Sequence, residues 1–288
     1  MDHDQNFKNL ILDYPREALA FLAEAEARAI TPDVRITPVR QEQLKERLGE
    51  RFRELDVPLL VEWPDGSHGA LVFIIEEESD PRRFSVHRLV HYCTDLSELL
   101  QTRRIVPVVV FLRGGPADRG LSLGSDQDTY LRFHFLSVDL AALPFRRYRD
   151  SDNIVARLNL PNMNYEPAEK VEVYAAAVKG LVTLEPNPEL QLKYADFIDI
   201  YAALDDNERQ EYERDHPAEA QIMSGTFQRA REEGERRGEA LALTRQMQRK
   251  FGDLPDGARR RVESADSDTL LEWLDRILTA ESIDEVMH

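Results

Sequence analysis

At 288 residues with 42% hydrophobic content, the chain is long enough to bury a sizeable core, expected as one principal domain with a helical appendage. Its 54 acidic against 37 basic side chains give a formal charge of −17, which excludes the broad basic footprint of a typical nucleic-acid binder. One cysteine excludes an internal disulfide and fits a reducing compartment, and no apolar stretch is long enough to span a bilayer. The opening MDHDQNFK does not read as a secretory signal, so a cytoplasmic location without a membrane partner is expected.

The first strong pattern runs from Leu55 to Glu78 and predicts a hairpin: DVPLLVEW, the turn signal Pro64-Asp65-Gly66-Ser67, then the apolar run Ala70 to Ile75. A two-residue loop at Asp65-Gly66 would pair residues whose numbers sum to 131 and set Asp56 opposite Ile75, within one residue of Glu76. The strand ends in Glu76-Glu77-Glu78, with Glu76 and Glu78 sharing one face and Glu77 on the other. Like charges across a hairpin are destabilising unless a cation compensates them, and Mg²⁺ takes carboxylate oxygens in this way. The plainer reading is a solvated, charged strand end.

The unbroken run Leu71 to Ile75 predicts a central strand covered on both faces. A helical pattern from Phe84 to about Leu100 and a second apolar strand, Ile105 to Leu112, complete a strand, helix, strand crossover and an α/β core. On that helix His87, His91 and Asp95 have a spacing that could hold a transition metal, although exposed helix histidines explain it more simply, and Cys93 falls on the apolar stripe as a core residue. Arg113-Gly114-Gly115-Pro116 to Gly124 lacks phosphate-loop patterns and reads as a surface connection. Tyr130 to Leu140 predicts one further strand at the sheet edge, and the turn-rich segment Asp150 to Pro167 marks a boundary. Helical patterns follow from Ala168. The charged stretch Thr226 to Lys250, interrupted by Gly234 and Gly238, predicts a long exposed helix or coiled-coil arm, followed by a turn at Leu254 to Gly257 and two short helices ending at Met287.

HDQNFK (His3 to Lys8), an Asp opening a strand at Asp56, IEEES (Ile75 to Ser79) where IEhQS is common, Arg88 and Tyr92 on the next helix, and the PVVVFL strand together resemble the Rpn family. These are recombination-promoting, transposase-like nucleases of the PD-(D/E)XK superfamily. The resemblance covers roughly Met1 to Asp150. GERRGEALAL, RKFGDLP (Arg249 to Pro255) and LLEWLDRILTAESIDEVM resemble a second module often fused to such nucleases. The resemblance implies a restriction-endonuclease-like mixed sheet flanked by helices over 1–150, a helical extension over 168–225 and a helical C-terminal module over 226–288. It implies Mg²⁺ or Mn²⁺ as cofactor, held by Asp56 and Glu76 with Glu78 and Asp4 as further candidates, and DNA as substrate.

Glu78 departs from the family's Gln and the superfamily's Lys, replacing a group that would offset phosphate charge with one that adds to it. Arg88, Tyr92 and Lys8 become candidate phosphate contacts. Asp4 and Lys8, one turn apart, either face the site or form an i,i+4 surface pair; Arg88 and Tyr92 either point at phosphate or stack on the helix surface. Charge is unevenly spread: Gln228 to Arg261 holds ten Lys or Arg against six Asp or Glu, and Arg82, Arg83 and Arg146 to Arg149 are further basic positions. Two functions follow as expectations. One is a Mg²⁺-dependent DNA endonuclease of recombination, mobile-element or defence type; the other is a catalytically inactive derivative that works as a binding or assembly module, homo-oligomeric through its C-terminal helices.

Overall fold

The computed structural model describes residues 3–39, 56–76, 84–114 and 120–288, with backbone alone at 3, 4, 56, 68, 70–76, 226, 227 and 229–231. It divides into two compact units, Met1–Pro186 with Lys193–Glu219, and Asn187–Leu192 with Ala220–His288. No helix among the described residues is long and apolar enough to cross a membrane.

The first unit is mixed α/β. Its main sheet has the order β1 (Arg35–Pro38), β2 (Asp56–Glu62), β3 (His68–Glu76), β4 (Ile105–Phe111) and β7 (Leu136–Asp139). The pairs β1–β2 and β2–β3 are antiparallel, whereas β3–β4 and β4–β7 are parallel. As expected from their unbroken apolar runs, β3 and β4 are interior strands, and Val108, Val109 and Val110 are fully buried. Parallel strands need a crossover; between β3 and β4 it contains the helix α4 (Val86–Leu99). The Ser85 side chain caps that helix by accepting from the Arg88 backbone N–H at 3.3 Å. Leu89, Tyr92, Cys93 and Leu96 form its inner stripe and share a core with Val109, Phe111 and Phe135, closed by Phe84 against Phe111 at 5.7 Å.

Two expectations for this region are corrected. The reading of 113–124 as a plain connection misses β5 (Gly120–Gly124), which pairs antiparallel with β6 (Thr129–His134) in a separate two-stranded sheet. The single strand over 130–140 divides: β6 ends at His134, the chain passes through buried Phe135, and only β7 joins the main sheet. Alternating Leu121, Leu123, Leu131 and Phe133 pair across β5 and β6, and cross-strand pairing of that kind stabilises a ribbon.

Helices α1 (His3–Asp13), α2 (Pro15–Leu22) and the single turn α3 (Glu24–Ala27) precede the sheet, and α1 packs against β2 and β3. After the short helix α5 (Phe145–Tyr148), the turn-rich segment contains α6 (Ile154–Leu158), every residue of which is buried. Three distinct helices, α7 (Lys170–Leu184), α8 (Pro188–Ala202) and α9 (Asp206–Asp215), then occupy the predicted helical stretches. At Gly180 on α7 an added Cβ would lie 2.6 Å from Arg157 Nε, so glycine is what admits the buried Arg157 side chain, whose guanidinium donates to the Ala176 carbonyl at 2.6 Å.

The second unit is helical. Residues 226–250 lie in α10 (Pro217–Phe251), and Leu243 and Met247, one turn apart, are fully buried. This part of the helix is therefore packed and not a free arm. Its partners are α11 (Asp256–Ser264), α12 (Ser267–Arg276) and a third short helix, α13 (Ile283–Val286), beyond the two expected; Val262, Leu270, Trp273, Ile277 and Val286 complete the core.

Candidate functional site

The hairpin β2–β3 places the two leading acidic positions, and its turn differs from the expected one. The Gly66 N–H donates to the Trp63 carbonyl at 3.0 Å, the Trp63 N–H donates to the Ser67 carbonyl at 2.8 Å, and Gly66 has φ +81°. This is a three-residue loop, Pro64-Asp65-Gly66, built on a type I turn with a left-handed glycine in its bulge. Asp65 Oδ1 secures it by accepting from the Ser67 N–H at 2.8 Å and its hydroxyl at 2.6 Å. Those two hydrogen bonds, the hydroxyl's first, hold the Asp65 carboxyl below its ordinary pKa.

The extra loop residue moves the register by one. Asp56 pairs with Ile74 and not with Ile75, and Glu62 pairs with His68. Because strand positions alternate faces, position 56 shares its register face with positions 74 and 76. The expected register would have divided 56 and 76 between faces. The side chains of Asp56 and Glu76 are not among those described, and Glu77, Glu78, Arg82 and Arg83 lie outside the described residues altogether.

Asp4 lies on the backbone of α1, the helix that packs on this hairpin, without a described side chain. Lys8, one turn on, is only 8% exposed, so its position is interior. On α4, Arg88 is half-buried near the helix N-terminus. Tyr92 is 5% exposed, with its ring in the α4 core cluster. The structure therefore presents Arg88 to partial solvent and places Tyr92 in apolar packing, although both share one helix face. His87 and His91 are exposed, Asp95 is half-buried and Cys93 is buried, in agreement with surface histidines and a core cysteine. Among the described residues no group of three or more His, Cys, Asp or Glu converges as a metal cage.

Sequence reasoning passed over a set of buried tyrosines tied to carboxylates. Tyr14 donates to Glu185, Tyr194 donates to Asp13 Oδ2 at 2.6 Å, and Tyr174 donates to Asp199 Oδ1 at 2.7 Å. Burial, followed by the facing carboxylate, pushes all three phenols above the usual tyrosine range. The separations in sequence, 171 and 181 residues for the first two, leave no local signal that could have found them.

Comparison with family models, with curated proteins and with solved structures finds no match.

Proposed function

We propose that the chain is a Mg²⁺-dependent DNA endonuclease of the Rpn type, with the first unit as a restriction-endonuclease-like core. The observation that carries the reading is the β2–β3 register, which puts positions 56 and 76 on one face at the same end of the hairpin. An Asp and a Glu supply hard oxygen donors, so the residues at these positions fit Mg²⁺ or Mn²⁺ by donor chemistry. The antiparallel hairpin followed by a parallel crossover, with α1 against the hairpin, also supports it.

In this reading Asp56 and Glu76 would hold the ion, which when bound would supply an acidified water and positive charge beside the scissile phosphate. Arg88, half-buried at the start of α4, orients a phosphate oxygen. The helix that carries Asp4 and Lys8, α1, packs on the same hairpin. Glu78 is either a further oxygen ligand or a repulsive group. The cytoplasm, with its reduced thiols, suits a chain whose one cysteine is buried.

Purified protein with Mg²⁺ or Mn²⁺ at low salt is expected to cleave DNA, and Asp56→Ala to remove that activity. Cleavage unchanged in Asp56→Ala would place the chemistry elsewhere. The charge of −17 and Glu78 favour the second reading, an inactive binding or assembly module. Wild type without activity and Glu78→Lys with activity would establish that reading, because the substitution supplies positive charge beside the attacked phosphate.

Mg²⁺ binding should also appear as stabilisation. At about 100 times its dissociation constant, a ligand of the folded state contributes about 2.7 kcal/mol, a rise of roughly 5–10 °C in Tm for a chain of this size class. Glu76→Ala should abolish the rise, and a shift that survives in Glu76→Ala would assign the ion to another site.

A further inference from the structure

The helical second unit carries a groove that the metal-centred reading does not use. A cavity of about 420 Å³ between α10 and α11 is lined by Arg236, Arg237, Thr244, Gln248, Arg259 and Glu263, and Arg245, Gln248 and Arg249 border a second, open one along α10. Gln248 lines both, so the two cavities adjoin. Residues 237, 241, 244, 245, 248 and 249 fall on one stripe of α10, and the opposite stripe is anchored by the buried Leu243 and Met247. The stripe is therefore held in a fixed direction by the unit's own core.

Its arginines differ in occupation. Arg237 is paired with Glu233 and Glu189. Arg245, Arg249 and Arg259 are exposed, and their side chains make no ion pair or hydrogen bond among the described residues. Residues 236–261 contain eight Lys or Arg against three Asp or Glu, in a chain whose acids otherwise exceed its bases. These three cations are left for another anion.

We propose that this groove binds the phosphate backbone of nucleic acid. From Arg237 to Arg249 the helix advances about 18 Å at about 1.5 Å per residue, the rise of about five nucleotides at about 3.4 Å each. Guanidinium groups bind phosphate oxygens in bidentate fashion, and neutral Gln248 and Thr244 add hydrogen bonds that position a backbone without reading sequence. On a chain that repels polyanions overall, this groove is where counterion release can drive association. The proposal takes only its partner class from the nuclease reading.

The test uses full-length protein and a fluorescently labelled DNA duplex in EDTA, where metal-dependent cleavage is off. Anisotropy titrations between about 50 and 200 mM salt give affinity and its salt slope. The triple variant Arg245→Ala/Arg249→Ala/Arg259→Ala, checked for an unchanged melting curve, is expected to lose at least about tenfold in affinity. Its slope should fall by about 2.7, or about 0.9 for each phosphate contact removed. Asp56→Ala should bind like wild type, so failure of the catalytic site and failure of the groove give different results. The groove is overturned if wild type does not bind, if the triple variant keeps the wild-type slope, or if Asp56→Ala abolishes binding. Capture of phosphatidylserine vesicles without binding to DNA would overturn it as well.

Discussion

Raising the pH above about 10 is expected to unfold the first unit steeply, at an initial loss of about 3 kcal/mol per pH unit. Tyr14, Tyr174, Tyr194 and Tyr212 are 9%, 7%, 1% and 5% exposed, and burial is the leading cause that lifts each phenol above its ordinary range. Carboxylates facing Tyr14, Tyr174 and Tyr194 add to it, since each would confront a tyrosinate with a like charge. The folded-state pKa values lie above the unfolded value of about 10, so the contribution is complete below that pH and is lost as pH rises towards the folded values. Four such groups could together cost about 5 kcal/mol per pH unit, and water at the ring edges screens part of this. A loss of this size rivals the whole stability of a typical domain, about 5–15 kcal/mol. Urea midpoints at successive pH values from neutral through alkaline would measure it. Tyr194→Phe should remove about a quarter of the slope. Stability that stays flat to one unit above pH 10 would contradict the assignment.

Phe7→Ala should cost about 4 kcal/mol, within the usual range for emptying a buried aromatic site. Phe7 is 1% exposed, with its ring 5.4 Å from Phe197 and 5.6 Å edge-on from Tyr201. These contacts fasten α1 to α8, two elements nearly two hundred positions apart in the chain, and α1 is the helix that packs against the hairpin. A drop of roughly 10 °C in Tm is expected. Leu12→Ala, on the exposed side of the same helix, should cost less than about 1 kcal/mol. A Phe7→Ala loss no larger than that of Leu12→Ala would show that α1 is held by something else.

Where local chemistry decides structure, the sequence was legible. The apolar runs of β3 and β4 announced interior strands, Phe84 to Leu100 announced α4, and the chain after Ala168 is helical as expected, although the stretch 206–223 divides at His216 and the 226–250 stretch is packed and not a free arm. The register was less legible because β2 is apolar on both faces: Val57, Pro58, Leu59 and Val61 are all buried. A strand of this kind does not declare by pattern which face is which, so turn chemistry has to decide. Asp65-Gly66 suggested the shortest loop, whereas Pro64 at the second turn position and Gly66 in the left-handed region make the three-residue form. Position 56 was thus located to the correct strand end and misplaced by one residue. The tyrosine–carboxylate pairs depend on tertiary packing, which no local spacing encodes, whereas the basic excess of 228–261 was legible and only the placing of Arg259 beside α10 was not.

Solvent-facing turns are ordinarily where chain length drifts most freely between related proteins. The turn from Trp63 to Ser67 lacks that freedom. An inserted or deleted residue there, with both strands still paired, would carry position 56 to the opposite side of the sheet from position 76 while leaving the apolar packing of β2 tolerable on either side. Such a variant would keep its fold and lose any chemistry that requires both acids together. Relatives that retain the function should therefore vary this turn in composition, or by pairs of residues, but not by one.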